Sequence, residues 1–209
     1  MNALEHPDNQ EHPVLVVGGG IAGMQAALDL AAMNLDVVLL ERSPTLGGNM
    51  TRLDKTFPTN DCSMCMISPR MVACSRNPRI RSHTLTELID LEGEPGNFLA
   101  RVRILPRYVD EAACIGCRQC VEKCPKSIAN AYNAGLDQRK AIYMVHSQAT
   151  PLVPLIDPQT CIYFLKGRCR ACEKICPTQM VKNFAAQLVG SEAAGEAGGV
   201  SIGGSNRER

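Results

Sequence analysis

The stretch that decides the fold is "VLVVGGGIAGMQAALDL", residues 14–30. Residues 14–17 form a short apolar run of the length and composition of a buried strand. Gly18, Gly19 and Gly20 break that run, and the Ala-, Leu- and Met-rich segment from Ile21 to Met33 reads as a helix. Residues 36–41, "DVVLLE", read as a second buried strand. Strand, helix and strand make a βαβ unit, and its two strands must run parallel.

Gly18, Gly20 and Gly23 stand in the G-x-G-x-x-G pattern at the strand-to-helix turn. The first permits the tight turn, the second lets backbone approach a pyrophosphate, and the third lets helix and strand pack closely. The N–H groups and dipole at the helix start favour phosphate charge. Glu41 ends the second strand, where a carboxylate can accept from both ribose hydroxyls and disfavours a 2′-phosphate. Arg42 and the Gly47–Gly48 pair follow, and a glycine pair there favours FAD over NAD. A glycine-rich turn without ligand is the simpler alternative.

Residues 42–79 read as irregular. Two strand-like runs, Leu85 to Glu92 and Phe98 to Leu105, flank the turn signal "GEPGN" and read as a β-hairpin. Phe98, Ala100, Val102 and Ile104 form its apolar face.

Eleven cysteines sit in a chain of 209 residues. Cys114, Cys117, Cys120 and Cys124, with Pro125 after them, match the C-x2-C-x2-C-x3-C-P run that holds 4Fe–4S clusters in bacterial ferredoxins. Cys161, Cys169, Cys172 and Cys176, with Pro177, form a second copy whose first gap is stretched to seven residues. In two-cluster ferredoxins the fourth cysteine of each run serves the other cluster. One cube then takes Cys114, Cys117, Cys120 and Cys176, and the other takes Cys161, Cys169, Cys172 and Cys124. A zinc site is the alternative for such cysteines. The chain between Pro125 and Thr160 has to leave the core and return to it. Tyr163 and Phe164, in the stretched gap, read as shields of a cube. Cys62 and Cys65 form a C-x-x-C, with Cys74 downstream. Three readings stay open for them: ligands of a further cluster completed elsewhere, a redox dithiol near the flavin, or small buried hydrophobes. Cys74 reads as core, and the four histidines as surface or satisfied polar positions.

Hydrophobic residues make up 45% of the chain and aromatics only 4%, so the core must be mostly aliphatic. The net charge of +1, from 22 basic and 21 acidic residues, gives no reason to invoke nucleic acid or anionic membrane. No secretory signal and no apolar run near the ~20 residues of a membrane span is present. A soluble, cytoplasmic protein is expected, in a reducing compartment where clustered cysteines bind metal.

The segments "LDKTFPTNDCSMC", "GEPGNF", "RYVD", "CIGCRQCVEKCP", "GLDQRKAIY" and "GRCRACEKICP", with the glycine turn, resemble the A-type subunit of heterodisulfide reductase, a family of iron–sulfur flavoproteins. The resemblance covers roughly residues 14–181. It implies an α/β fold: a partial Rossmann-like FAD-binding unit of thioredoxin-reductase type with an inserted α+β two-cluster ferredoxin module. It implies that Gly18, Gly20, Gly23 and Glu41, with Arg42 and Gly48 beside them, hold the ADP half of FAD, and that the eight repeat cysteines hold two 4Fe–4S clusters. The implied activity is that of an oxidoreductase passing electrons between FAD, the cubes and partner redox subunits. Those partners are heterodisulfide reductase-like, hydrogenase- or formate dehydrogenase-like, or ferredoxin; homo-oligomerisation is left open, and no catalytic side chain stands out. A ferredoxin-like carrier or docking module with a vestigial flavin site is the alternative. Members of the family run on past the ferredoxin insert, so the chain reads as a truncated member or fragment. The expected organisation is a flexible N-terminus over 1–12, the flavin unit over 13–109, the ferredoxin module over 110–183 and a flexible tail over 184–209.

Overall fold

In the computed structural model, residues 13–179 and the backbone of 198–202 are described. The described residues divide into two compact units that meet in sequence between Leu105 and Pro106, four residues before the expected boundary.

The first unit is organised by its middle strand. Strand β1 (Val14–Val17) is followed by helix α1 (Ile21–Ala32) and β2 (Val37–Leu40). Helix α2 (Ser63–Arg76) then leads to β3 (Ile80–His83). The three strands lie parallel in the order β1-β2-β3, that of one mononucleotide-binding half of a Rossmann sheet. β2 is buried on both faces. Val37 and Leu39 pack with Met24 and Ala27 of α1 and Ile67, Met71 and Cys74 of α2. Val38 and Leu40 turn the other way, onto Ala100 and Val102. The two-residue period of a strand thus feeds two cores from four consecutive residues. Each such aliphatic side chain contributes about 1.5–3 kcal/mol on burial.

Ala100 and Val102 belong to the expected hairpin, β4 (Thr86–Glu94) and β5 (Asn97–Ile104), which is antiparallel. Only the middle of its apolar face is covered. Phe98 and Ile104 stay 39% and 49% exposed. The tail expected over 184–209 lies largely outside the described residues, but the backbone of 198–202 forms a strand antiparallel to β5.

Two elements replace the irregular reading of residues 42–79: a short 3-10 turn over Gly48–Arg52 and helix α2. Helix α2 buries Ser63, Ile67, Met71 and Cys74, one face at helical spacing, and continues through Pro69. It is the crossover that allows β3 to lie parallel to β2.

The second unit is built from short pieces: α3 (Gln119–Lys123), β6 (Ser127–Ala129), β7 (Gln138–Lys140), β8 (Ile142–Tyr143), β9 (Leu155–Ile156), α4 (Ile162–Lys166) and α5 (Ala171–Ile175). β6 pairs with β7 and β8 with β9, both antiparallel, so the excursion between the cysteine runs is two small ladders. Ile142, Val153 and Ile156 carry it back to a core shared with Tyr108, Val109, Cys120 and Cys176.

Candidate functional sites

The glycine turn and the loop after β2 are stitched together. Glu41 is only 8% exposed. Its backbone N–H donates to the His83 carbonyl at 2.8 Å, and its own carbonyl accepts from Thr86 N at 2.9 Å. Its side chain reaches back to the glycine turn: Oε2 accepts from Gly19 N at 2.7 Å. Oε1 accepts from Ser43 N at 2.7 Å and Ser43 Oγ at 2.6 Å. Gly47 N donates to the Gly19 carbonyl at 2.7 Å, closing the second stitch. Glu41 is therefore first a brace of the turn: Oε1 already takes two donors, and Oε2, with one, keeps lone-pair capacity for a further donor.

Each glycine has a distinct reason. Gly18 has φ +104°, a conformation costly for any residue with a Cβ. A Cβ on Gly23 would lie 1.9 Å from the Gly18 carbonyl oxygen, so α1 can approach β1 only because that position is bare. Gly20 is different. Its φ and ψ, −75° and −177°, suit any residue, and a Cβ there would meet nothing within 4 Å. It is the N-cap of α1 and supplies no side-chain cap. That open space before uncapped N–H groups fits a pyrophosphate, which a side chain at Gly20 would displace. Gly48 lies against this place, its missing Cβ 3.1 Å from the Gly20 Cα. Arg42 is exposed.

In the second unit the two cysteine runs fold alike. α3 carries Cys120 and ends on Cys124; α5 carries Cys172 and ends on Cys176, with nearly identical terminal φ and ψ. α3 and α5 touch. A cavity partly open to solvent is lined by Cys124 together with Cys161, Cys169 and Cys172. Ile142, Ile156, Ile162 and Tyr163 complete its apolar wall. Phe164 instead packs edge-on against Tyr108, with centroids 4.7 Å apart. Burial pushes the Cys120 thiol up to about 12 and the Cys172 thiol up to about 11. Neighbouring sulfurs add to this. Cys172 feels Cys161 and Cys124; Cys114 feels Cys117 and Cys176; Cys120 feels Cys172, Cys114 and Cys117. Such thiols are neutral at neutral pH, and ligating iron requires them to release protons. Among the described residues no three His, Cys, Asp or Glu side chains close on one point as around a single ion. A cube presents irons at separate corners, so thiols arranged around a volume fit it.

The repeat extends further upstream than the cysteines suggest. Asp110 precedes Cys114, and Asp157 precedes Cys161, by four residues each. Each aspartate carbonyl accepts from the N–H of that cysteine, at 3.1 and 3.0 Å. Each side chain accepts from the N–H two residues on, at 2.9 and 3.0 Å. The preceding Val109 and Ile156 are both buried. The shared apolar-Asp-x3-Cys pattern was the available signal.

Cys62 and Cys65 are joined as a disulfide at the start of α2, and Cys62 Sγ accepts from Cys65 N at 3.2 Å. Both are exposed, which removes the buried-hydrophobe reading. Cys74 is fully buried, its thiol pushed up to about 11 by burial. His6 and His12 lie outside the described residues. His146 departs from expectation: both ring nitrogens are buried without a hydrogen-bond partner. The ring stacks on Tyr132, and burial holds its pKa below the usual value.

The family models agree with this division. Residues 13–62 match "FAD dependent oxidoreductase" and residues 113–180 match "4Fe-4S dicluster domain". Curated relatives carry both parts together. One iron–sulfur, A-type subunit of the CoB–CoM heterodisulfide reductase of Methanopyrus kandleri is 51% identical over 139 residues, 66% of this chain and 21% of the relative. The chain belongs to the heterodisulfide reductase family of A-type, iron–sulfur flavoprotein subunits. Family similarity extends to the corresponding subunit of the H(2):CoB-CoM heterodisulfide,ferredoxin reductase of Methanothermobacter marburgensis, 43% identical over 81% of this chain and 25% of that one. A protein of Archaeoglobus profundus that resembles the same heterodisulfide reductase subunit is also 43% identical, over 79% and 26%. The chain thus spans about a quarter of the length of these family members. Among solved structures, L-proline dehydrogenase from P. horikoshii matches with a TM-score of 0.39 at 28% identity, over 47% of this chain and 21% of that one. The cofactor classes of this family segment are FAD and 4Fe–4S clusters. Among the described residues no helix is long and apolar enough to cross a membrane.

Proposed function

We propose that this chain is an electron-transfer segment of an iron–sulfur flavoprotein: the first unit holds the ADP half of FAD and the second holds two cubes. The observation that carries this reading is the cavity in which the last cysteine of the first run, Cys124, lies with Cys161, Cys169 and Cys172 of the second. A crossed ligand set of this kind belongs to two-cluster ferredoxins. Cys114, Cys117, Cys120 and Cys176 would hold the other cube. When bound, the flavin exchanges electrons singly or in pairs and each cube takes or gives one.

The chain's own residues bind, orient and exclude water. Gly20 leaves room for the pyrophosphate, the start of α1 faces its charge, and Glu41 braces the turn while presenting Oε2 at the end of β2. Gly48 keeps the second wall free of side chain, with Arg42 beside it. Ile142, Ile156 and Tyr163 keep water from the thiolates of one cube and thereby influence its potential. The relatives are named as subunits of enzymes acting on the CoB–CoM heterodisulfide, some with hydrogen or ferredoxin in the name. In this reading the chain exchanges electrons with such redox subunits, hydrogenase- or formate dehydrogenase-like modules among them, in the cytoplasm.

The test is anaerobic reconstitution followed by paired substitutions. About 8 irons per chain are expected, from two four-iron cubes. Cys124→Ser should alter the same EPR signal as Cys169→Ser, and Cys176→Ser the same signal as Cys117→Ser. If Cys124→Ser instead shares its signal with Cys117→Ser, each run holds its own cube. Iron bound without flavin under saturating FAD would favour the plain electron-carrier alternative.

A further inference from the structure

Cys62 and Cys65 belong to neither cofactor set, and the structure joins them as a disulfide between two exposed residues. A cross-link between positions three apart ties no distant segments together. The frame around it is held by other means. A backbone bridge between Lys55 and Cys62 closes a loop, whose tip is braced by Thr56 N donating to the Asp61 carbonyl at 2.9 Å and Asn60 N to the Thr56 carbonyl at 2.8 Å. Ser63 N donates to the Asp54 carbonyl at 3.1 Å. Helix α2 is anchored by Ser63, Ile67, Met71 and Cys74, all fully buried. The bond can therefore open and close while loop and helix keep their places.

The two sulfurs are not equivalent. Cys62 is the N-cap of the 14-residue α2, and its Sγ accepts from Cys65 N at 3.2 Å. The unsatisfied N–H groups of a first helical turn and the helix dipole favour negative charge at that end. Cys65 lies within the turn and supplies the donor. When the bond breaks, the charge is better held on Cys62. Cys62 is thus the better leaving thiolate, and Cys65 is the sulfur open to attack.

We infer that Cys62 and Cys65 form a redox-active pair, a thiol–disulfide exchange site for an external dithiol. A thiol of the dithiol loses its proton and attacks Cys65 Sγ. The new S–S bond joins the dithiol to Cys65, the Cys62–Cys65 bond breaks, and Cys62 leaves as a thiolate and takes up a proton. The second thiol of the dithiol then gives up its proton and displaces Cys65 from the mixed disulfide, and Cys65 is protonated in turn. The pair gains two electrons and two protons, and the dithiol loses the same and ends as a disulfide. This exchange needs neither flavin nor cube, so it goes beyond the proposed cofactor roles and does not rest on them.

The experiment holds the full chain, after anaerobic cluster reconstitution, in buffers of reduced and oxidised dithiothreitol. Maleimide trapping and peptide mass spectrometry then read Cys62 and Cys65 by position, whether or not cubes are present. The two labels should appear and disappear together and reversibly, the reduced-to-oxidised ratio changing tenfold for each step of about 30 mV, as for a two-electron couple. Circular dichroism should not change. Faster reduction by reduced thioredoxin than by dithiothreitol at equal dithiol assigns a protein reductant, and the reverse order assigns a small dithiol. Thioredoxin stripped of its resolving cysteine should be captured on Cys65. In the single variants, Cys62 in Cys65→Ser should alkylate several-fold faster at neutral pH than Cys65 in Cys62→Ser. Capture on Cys62, or equal alkylation, overturns the inference. Reduction reached only when α2 unfolds shows a structural cross-link and also overturns it. So does iron beyond about 8 per chain that is lost in the double serine variant, since the pair would then be cluster ligands. A chain that takes up no flavin and no cubes yet shows the reversible pair overturns the cofactor reading and leaves this inference standing.

Discussion

Gly20 and Gly23 are three residues apart in one motif, and the structure assigns them opposite kinds of importance. For Gly23→Ala, the added Cβ would lie 1.9 Å from the Gly18 carbonyl oxygen, where ordinary contact begins at 3.4 Å. About 1.5 Å has to be opened between backbone and helix. α1 cannot yield locally without loosening Met24 and Ala27 from Val37 and Leu39. Overpacking costs about 1–3 kcal/mol and more when backbone is struck, and the helix propensity of alanine returns up to about 1 kcal/mol. A net loss of roughly 2 kcal/mol is expected, or about 8–16 °C in Tm for a unit of this size. For Gly20→Ala the new methyl meets nothing within 4 Å. Losing a glycine N-cap and restricting the unfolded chain nearly cancel, so stability stays within about 1 kcal/mol of wild type. Flavin affinity, however, should fall at least about tenfold, because the methyl takes the pyrophosphate's space. Thermal unfolding by circular dichroism on the flavin-free, cluster-free chain under reducing conditions measures the first pair of effects; FAD titration measures the last. Equal destabilisation by the two substitutions would make Gly20 a packing glycine. Undiminished FAD binding by Gly20→Ala would remove the dinucleotide assignment of this turn.

Glu41→Ala leaves the Gly19 N–H and the Ser43 N–H without their acceptor, so the flavin-free chain should lose about 1–3 kcal/mol in chemical denaturation. A further loss of about 1.5–3 kcal/mol in nucleotide affinity follows if the same carboxylate accepts from ribose hydroxyls; unchanged affinity would confine Glu41 to bracing. Asp110→Ala removes a turn-capping acceptor and should cost about 1 kcal/mol, whereas Asp157→Ala also strips Arg139 of its carboxylate and should cost about 2–3 kcal/mol; equal costs would show that the Arg139 pair adds nothing. Burial raises the Cys74 thiol to about 11 from an ordinary 9, so the native state holds that proton longer than the unfolded one. Stability from this group is full below pH 9 and is lost as pH rises toward 11. The stability gap between wild type and Cys74→Ala should therefore shrink across that window, and a constant gap would refute the assignment.

What was legible in the sequence is what is local. The glycine turn, the strand before it and the helix after it lie within the 19 residues from Val14 to Ala32, and each glycine does a job that neighbours in sequence define. The cysteine runs were equally plain, since the spacing that wraps a loop around a cube is itself a sequence property. The hairpin was announced by its turn and alternation. Other features depended on partners far along the chain. Pro69 hid α2, whose buried face of Ile67, Met71 and Cys74 makes sense only once α1 and β2 lie beneath it. "IRSH" becomes the strand β3 because β2 offers it an edge and α2 delivers it there parallel. Glu41 was recognised by position as a ribose acid, but its bond to Gly19 N, across 22 residues, exists only when β1 and β2 stand side by side. The same holds for Arg107, an ordinary arginine in sequence, whose burial and hold on the Val153 carbonyl arise from folding a segment 46 residues away against it. Spacing along the chain sets which atoms can chelate or turn together; which charges end up desolvated beside them is settled only when distant segments exclude the water between them.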